Sequence, residues 1–221
     1  MNVYFDGYEH EGTTLIPFDQ LKGLMLPITQ LGQLNEVEAN NLRSAARDWL
    51  ILSKRPTLDK FLTVDYAMQL HGHCFGTVWD WAGKPRYVQT NIGVPAVRIS
   101  IDLRQLLDNT RYRIDLFDRQ SKDSDDLILS KDQCDTKRAN WAENLAIEFA
   151  YKLIWIHPFN NGNGRWSRFY TDQFCDLLKI SRFSWGKSIP TIPARRNEMI
   201  TSLRIADQTG DLSAFLSWAM K

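Results

Sequence analysis

The chain has 221 residues, with 27 Lys and Arg against 26 Asp and Glu, a formal net charge of +1. At 43% hydrophobic and 24% charged residues it is too apolar for a disordered chain, and its balanced charge excludes the basic excess of a general nucleic-acid binder. Three widely spaced cysteines (Cys74, Cys134, Cys175) form no disulfide framework and point to a reducing compartment.

The N-terminus, MNVYFDGYEHEG, carries acids where a signal peptide needs a basic start. No stretch approaches the roughly 18 apolar residues of a membrane span. The expectation is a cytoplasmic globular protein with neither nucleic acid nor membrane as partner. Leu34, Val37, Leu42, Ala45, Trp49 and Leu52 then recur at helical steps and predict a helix over about 33–52. Thr57 is placed to cap a second helix running to about 74. From its residues the whole chain reads as one domain.

Residues 83–99, GKPRYVQTNIGVPAVRI, interrupt the helical period with two Gly and two Pro among β-branched residues, and read as a short irregular hairpin or, equally well on pattern alone, as a plain surface connection. Ser100 or Asp102 can open the next helix, with Leu103, Leu106, Leu107, Ile114 and Phe117 on its apolar face. Between Arg111 and Arg138 seven acids and seven bases cancel, so residues 118–138 read as a solvated connection. Thr136 is expected to cap a strongly apolar helix over 136–156, and helices near 165–179, 194–207 and 211–220 follow. The fold class is mainly α with one hairpin.

The stretch from His157 to Arg168, HPFNNGNGRWSR, carries the chemistry. Pro158 discourages helical geometry at His157, so the apolar helix delivers an imidazole at its end. The loop Asn160–Gly164 holds three Asn and two Gly, the residue types that best tolerate positive φ, and a new helix starts directly after it. Loop amides at a helix N-terminus form an anion site. Arg165 and Arg168, three apart, lie on one side of that helix and can grip neighbouring phosphates. A base, a phosphate cradle and two Arg within twelve residues look like a phosphoryl- or nucleotidyl-transfer site. Alone, His157 would more often be structural and the Arg residues surface ion-pair formers; the Gly-Asn-Gly before them favours the phosphate reading. His71-Gly72-His73-Cys74 lacks a second ligand pair at a metal-site spacing and reads as a packed helix end. Trp79 and Trp81 read as core.

This stretch resembles the signature of the Fic (filamentation induced by cAMP) family, His-Pro-Phe-x-(Asp/Glu)-Gly-Asn-Gly-Arg-x-x-Arg, with Asn161 the one departure. Leu70-His71, Phe75-Gly76, Val78, Trp81-Ala82-Gly83 and Arg86 resemble the family's approach to its flap hairpin, and Ala206-Asp207 with Gly210-Asp211 resembles a closing feature. The resemblance spans about 58–218 and implies a Fic-type helical domain with a short β-hairpin flap. It divides the chain into a helical extension over 1–57, packed on the same domain, and a Fic domain over 58–221. Leu34-Asn35-Glu36, Glu38, Asn40 and Asn161 are similar to the bacterial subgroup called mobile mystery protein B.

The resemblance implies AMP transfer from ATP, with Mg²⁺, to a Tyr, Thr or Ser hydroxyl of a target protein. It makes His157 the general base. Gly162, Asn163, Gly164, Arg165 and Arg168 would bind the nucleotide phosphates, and Phe159 would anchor the loop. Arg86, Tyr87, Val88, Gln89, Thr90 and Asn91 of the flap would clamp an extended target segment by main-chain pairing. Asn161 stands where the family's metal-holding acid belongs; it keeps an oxygen without the charge, which implies weaker Mg²⁺ binding and leaves turnover open. Many relatives carry an inhibitory helix reading Ser/Thr-x-x-x-Glu-Gly/Asn. Gly32 and Leu34 stand in its hydroxyl position before Glu36 and Glu38, so the resemblance implies no built-in brake and leaves room for a separate inhibitory protein. A transferase using UTP, GTP or another donor, a weakly active nucleotide-binding regulator, and a toxin held by a partner stay open beside the adenylyltransferase.

Overall fold

A computed structural model describes residues 21–51, 55–123 and 131–221. Leu52, residues 1–20 of the expected extension and residues 124–130 of the polar stretch lie outside the described residues. Among the described residues the α-helices run, in order, α1 (Leu31–Ile51), α2 (Leu58–Phe61), α3 (Val64–Phe75), α4 (Ile99–Asp123), α5 (Lys131–Ile156), α6 (Asn163–Leu178), α7 (Ile192–Thr209) and α8 (Ser213–Met220). A 3₁₀ turn, Ala96–Arg98, leads into α4. No helix among the described residues is long and apolar enough to cross a membrane.

Local chemistry accounts for several boundaries. Thr57 caps α2 as expected, its hydroxyl accepting from the Lys60 N–H, but the helix stops after four residues. Thr63, in extended conformation, restarts the chain as α3 by accepting from the Tyr66 N–H. The single helix expected from 57 to 74 is therefore two. Thr136 caps nothing: α5 begins five residues earlier, and the Thr136 hydroxyl donates back to the Asp132 carbonyl inside the helix. The polar stretch after Phe117 is also more helical than expected, since α4 runs on to Asp123. Gly210, at φ 74°, ends α7 with its N–H on the Ala206 carbonyl.

The helical class holds, but the hairpin expected over 83–99 does not form. Among the described residues no strand is present, and the one β-bridge joins Leu24 to Trp79. The reason is hydrogen-bond accounting. The Arg86 N–H donates to the Pro158 carbonyl at 2.8 Å and the Val94 N–H reaches the Ile156 carbonyl at 3.4 Å. The Arg86 guanidinium takes the carbonyls of Val88, Val94 and His157, and the Thr90 hydroxyl that of Ile92 at 2.6 Å. Groups that a ladder would pair across the loop are thus committed to one buried side chain and to the end of α5.

Chain contacts gather into two compact units. The first comprises the described part of Met1–Asp108 with Leu153–Tyr170, and the second Asn109–Lys152 with Thr171–Lys221. In the first, α1 packs on α3, and Leu34, Ala45, Trp49, Phe61, Phe75, Trp79, Phe159 and Trp166 are buried. Phe159 stacks on His71 with ring centroids 3.6 Å apart and meets Trp166 edge-on at 4.9 Å. The Tyr170 hydroxyl, buried beyond them, donates to the Phe61 carbonyl at 2.6 Å. Full burial of such an aromatic contributes about 1.5–3 kcal/mol, so this cluster holds the segment after α5 firmly. Cys74 belongs to the same interior.

In the second unit α7 packs on α8. Phe149 and Phe174 lie 4.9 Å apart, and Phe117 stacks on Trp141 at 4.0 Å. The Tyr151 hydroxyl donates to Asp207 at 2.6 Å. Trp185 donates its indole N–H to Asp172 at 2.8 Å and its main-chain N–H to the Ala219 carbonyl at 2.7 Å. Cys175 is buried here and Cys134 is half-buried, and all three cysteines are free thiols.

Candidate anion-binding and catalytic site

Every residue from His157 to Arg168 lies in the first unit. Helix α5 ends at Ile156, and His157 leaves it with φ 53°, in the left-handed region that a side chain enters at a cost. Two contacts hold that conformation. The His157 N–H still closes on the Leu153 carbonyl at 3.1 Å, and the His157 carbonyl accepts the Arg86 Nε–H at 2.7 Å. The ring Nδ1 stands 3.4 Å from the Ile154 carbonyl, which can only accept. The proton therefore sits on Nδ1, and Nε2 carries the lone pair. Burial pushes the His157 imidazole down to about 4, and the nearby Arg86 charge adds to this against the opposing pull of the Ile154 carbonyl. At neutral pH it is a proton acceptor.

The loop is closed by its own side chains. Asn163 accepts the Phe159 N–H at 2.9 Å and donates to the Phe159 carbonyl at 2.7 Å, a buried two-point clasp across five residues. Gly162 sits at φ 78°, and a Cβ there would stand 2.9 Å from the Phe75 ring. The N–H groups of Arg165 and Trp166 turn back to the Gly162 carbonyl at 3.1 and 2.8 Å and start α6. A helix has no intrahelical partner for its first N–H groups, so Asn163 and Gly164 present a ready anion site. A Cβ on Gly164 would meet nothing within 4 Å, which leaves room for a ligand.

His71 ties this loop to α3. Its Nδ1 accepts the Gly83 N–H at 3.0 Å and its Nε2 donates to the Asn161 carbonyl at 3.1 Å, so both nitrogens are engaged by a neutral ring. Burial lowers its pKa to about 3, more than the Asn161 hydrogen bond raises it. His71 is thus the packed structural histidine expected from its spacing.

Arg165 is half-buried on α6, its guanidinium 5.8 Å above the Phe75 ring. One Nη pairs with Glu38 at 2.5 Å. Arg168, one turn on, is half-buried in the same unit. Asn161 donates its Nδ2–H to Glu38 at 3.0 Å.

Glu38, on α1, is the residue that sequence reasoning missed as part of this site. Its signal was present: it falls four residues after buried Leu34 and seven before buried Ala45, an acid on the apolar stripe of the helix. An acid is almost never fully buried without partners, and the one in that stripe has Trp79, Asn161 and Arg165.

The residues of 83–99 divide. Arg86 is 2% exposed and faces inward, so it braces the loop and the turn at His157 and does not face a target. Thr90 is buried too. Tyr87, 72% exposed, with Gln89 and Asn91, presents the outer surface, and Val88 is half-buried. Gly93 lies against His157: a Cβ built on it would stand 2.5 Å from the His157 Cβ.

Known structures share the fold of this chain. The chain is similar in structure to the BepC protein of Bartonella tribocorum solved with bound AMPPNP, at TM-score 0.63 and 18% identity over 98% of this chain and 95% of that one. The N-terminal Fic domain of a Bartonella quintana Bep effector, solved with ADP, matches at TM-score 0.60 and 19% identity, covering 88% and 86%. That of a Bep effector from Bartonella sp. AR 15-3 matches at 0.63 and 16%, covering 96% and 88%. No curated protein matches the chain. The profile of the Fic/DOC family matches residues 61–175, which hold the whole His157–Arg168 stretch. By that match the chain belongs to the Fic/DOC family.

Proposed function

We propose that the protein is a nucleotidyltransferase that moves AMP from ATP to a Tyr, Thr or Ser hydroxyl of a target protein. The observation that carries this reading is the juxtaposition, within one unit, of an imidazole whose Nε2 holds a lone pair with a helix start bearing two arginines. A base six residues of chain before a helix start, in the same unit, fits displacement at a phosphate.

In this scheme the α- and β-phosphates lie on the first N–H groups of α6, with Arg165 and Arg168 on the charge that shifts to the leaving group. The target hydroxyl oxygen attacks the α-phosphorus, the bond to the β-phosphate oxygen breaks, and pyrophosphate leaves. His157 Nε2 takes the hydroxyl proton. Burial makes His157 a weak base in the free protein, and the negative charge of a bound nucleotide raises its basicity toward the reaction's need.

Asn161 is the residue that would hold Mg²⁺ in this reading. Glu38 is acceptor-only, so the Asn161 NH₂ must face it and the Asn161 Oδ1 is aimed away from it. That neutral oxygen, with substrate phosphates, suits an ion that binds proteins through few ligands. Bound there, Mg²⁺ would neutralise phosphate charge. The exposed side of 87–91 is the surface on which a target segment would lie. The similarity to BepC and to the ADP-bound Fic domain, both described with nucleotides, supports a nucleotide as ligand. The Asn161 departure, with Leu34–Asn40, places the chain in the mobile mystery protein B subgroup on our reading, and the boundary at 57/58 is kept with it.

The deciding experiment offers α-³²P-ATP and γ-³²P-ATP with Mg²⁺ and a cell lysate to the protein and to His157→Ala. Protein labelled from the α-phosphate alone, and lost in the variant, supports adenylylation. Labelling from the γ-phosphate refutes it in favour of phosphoryl transfer. Binding of ATP with no labelling refutes turnover and leaves a nucleotide-binding regulator, the reading that the uncharged Asn161 would favour.

A further inference from the structure

Glu38 is 0% exposed, and its carboxylate is held from three directions. The Trp79 indole N–H donates to Oε1 at 2.7 Å, the Asn161 Nδ2–H donates to the same oxygen at 3.0 Å, and the Arg165 guanidinium pairs with Oε2. Two of these donors belong to the loop and helix start that form the anion site, 123 and 127 residues away in sequence. Trp79 is itself buried and stacked on Trp81 at 4.7 Å, so the anchor that fixes the carboxylate is rigid.

We propose that Glu38 is a positioning residue of the nucleotide site: it sets the direction of the Arg165 guanidinium and of the Asn161 amide, and supplies beside the loop the negative charge that Asn161 lacks. The ligand of the site is taken from the transferase reading above; the positioning itself is a statement about Arg165 and Asn161.

An arginine side chain is free about several bonds, and a carboxylate on one Nη fixes the plane of the whole fork while leaving other N–H groups for phosphate oxygens. Donors aimed in advance bind anions without the cost of ordering them. The contact also differs from a displaceable plug. A ligand that pulled Arg165 off Glu38 would leave a carboxylate in the interior with only neutral donors, which is strongly unfavourable. Trp79 and Asn161 hold Glu38 where it is whether Arg165 is engaged or not, so it stays in place as ligand binds.

The test uses the full chain and ATP with Mg²⁺ in isothermal titration calorimetry. Glu38→Gln keeps size and an oxygen for Trp79 but removes the charge, and the ATP dissociation constant is expected to rise roughly ten- to hundredfold, as for other residues that orient a site's direct ligands. Adding Asn161→Asp to that variant returns a carboxylate to the neighbourhood of Arg165 and is expected to bring the constant back to within about threefold, since the two positions are coupled through one hydrogen bond. A merely structural role would give loss without such rescue. Nitrogen-15 NMR of the Arg165 side chain gives an answer independent of nucleotide: hindered guanidinium rotation in wild type, freed in Glu38→Gln. Should the glutamine variant fail to fold, Trp79→Phe removes one anchor of the carboxylate while keeping a smaller aromatic ring in its place, and severalfold weaker ATP binding with unchanged circular dichroism is expected.

Unchanged ATP affinity in Glu38→Gln overturns the proposal, and so does loss without rescue. Tighter binding also overturns it, and would make Glu38 a competitor of phosphate for Arg165. Equal guanidinium rotation in both proteins overturns it on spectroscopic grounds alone. A wild-type protein that binds no ATP yet shows the hindered Arg165 refutes the transferase reading and leaves the positioning role standing.

Discussion

Removing the Arg86 guanidinium should unfasten both the 83–99 loop and the turn at His157. Two of its acceptors, the His157 and Val94 carbonyls, are in buried hydrogen bonds, and the third, on Val88, is partly exposed. A buried carbonyl left without its donor costs about 1–3 kcal/mol, so Arg86→Leu loses roughly 2–6 kcal/mol from the two buried bonds, while water replaces most of the third. Against this, the variant no longer buries a charge, the penalty that lowers the Arg86 pKa. A net loss of about 3 kcal/mol follows, and with 2–4 °C per kcal/mol for a chain of this size the melting temperature falls by roughly 6–12 °C. Arg86→Lys keeps the charge but offers a point donor where three separate carbonyls need a fork, and should recover less than half. Urea and thermal unfolding of the three proteins, followed by circular dichroism, measure the series. Imidazole NMR of His157 reports whether its turn moves. If Arg86→Lys melts with wild type, or Arg86→Leu loses under about 1 kcal/mol, the bracing role of the three carbonyl bonds is refuted.

Gly93→Ala would set a Cβ 2.5 Å from the His157 Cβ and 2.8 Å from the Arg86 guanidinium at φ 99°; a loss of about 1–3 kcal/mol is expected, with transfer falling more than ATP affinity, and a wild-type rate would show the contact to be soft. Asn163→Ala removes both hydrogen bonds to Phe159, so stability should drop by roughly 2–4 kcal/mol and ATP binding with it; a smaller drop in urea unfolding means that the Phe159 stack alone holds the loop. Folded-state pKa values lowered to about 4 for His157 and about 3 for His71 lie below the ordinary 6.5, so the unfolded chain takes up protons first on acidification. The stability these two neutral rings contribute is complete above pH 6.5 and is lost below it at about 1.4 kcal/mol per pH unit for each ring. Urea midpoints at pH 7 and pH 5 test this, and equal midpoints for wild type would contradict the burial of the two rings.

Much of this molecule was legible in its residues because the signals are local. Helices α1, α4, α6 and α7 follow the three- and four-residue spacing of apolar side chains, and Thr57 caps where its hydroxyl and the following helix formers predict. His157 stands at the end of α5 because Pro158 forbids the helix to continue unchanged, and Gly162 lies at positive φ where glycine was expected. Residue type and neighbours are enough for such decisions, since the competing conformations differ within a few residues of chain.

Other features depended on contacts that sequence spacing does not encode. Thr136 has the chemistry of a cap, but α5 begins earlier and its hydroxyl turns inward. Residues 83–99 have hairpin composition, yet a loop pairs with itself only if nothing better satisfies its main chain, and the buried Arg86 with the end of α5 does so. Glu38 entered the sequence reading only through the Leu34–Asn40 resemblance and the missing inhibitory motif; its contacts with Trp79, Asn161 and Arg165 come from the approach of α1 to the loop. Local periodicity and turn chemistry determined the helices and the turn from His157 into α6. Tertiary packing decided which distant partners satisfied each buried polar group, because a carboxylate or a guanidinium in the interior must find its partners wherever the fold brings them.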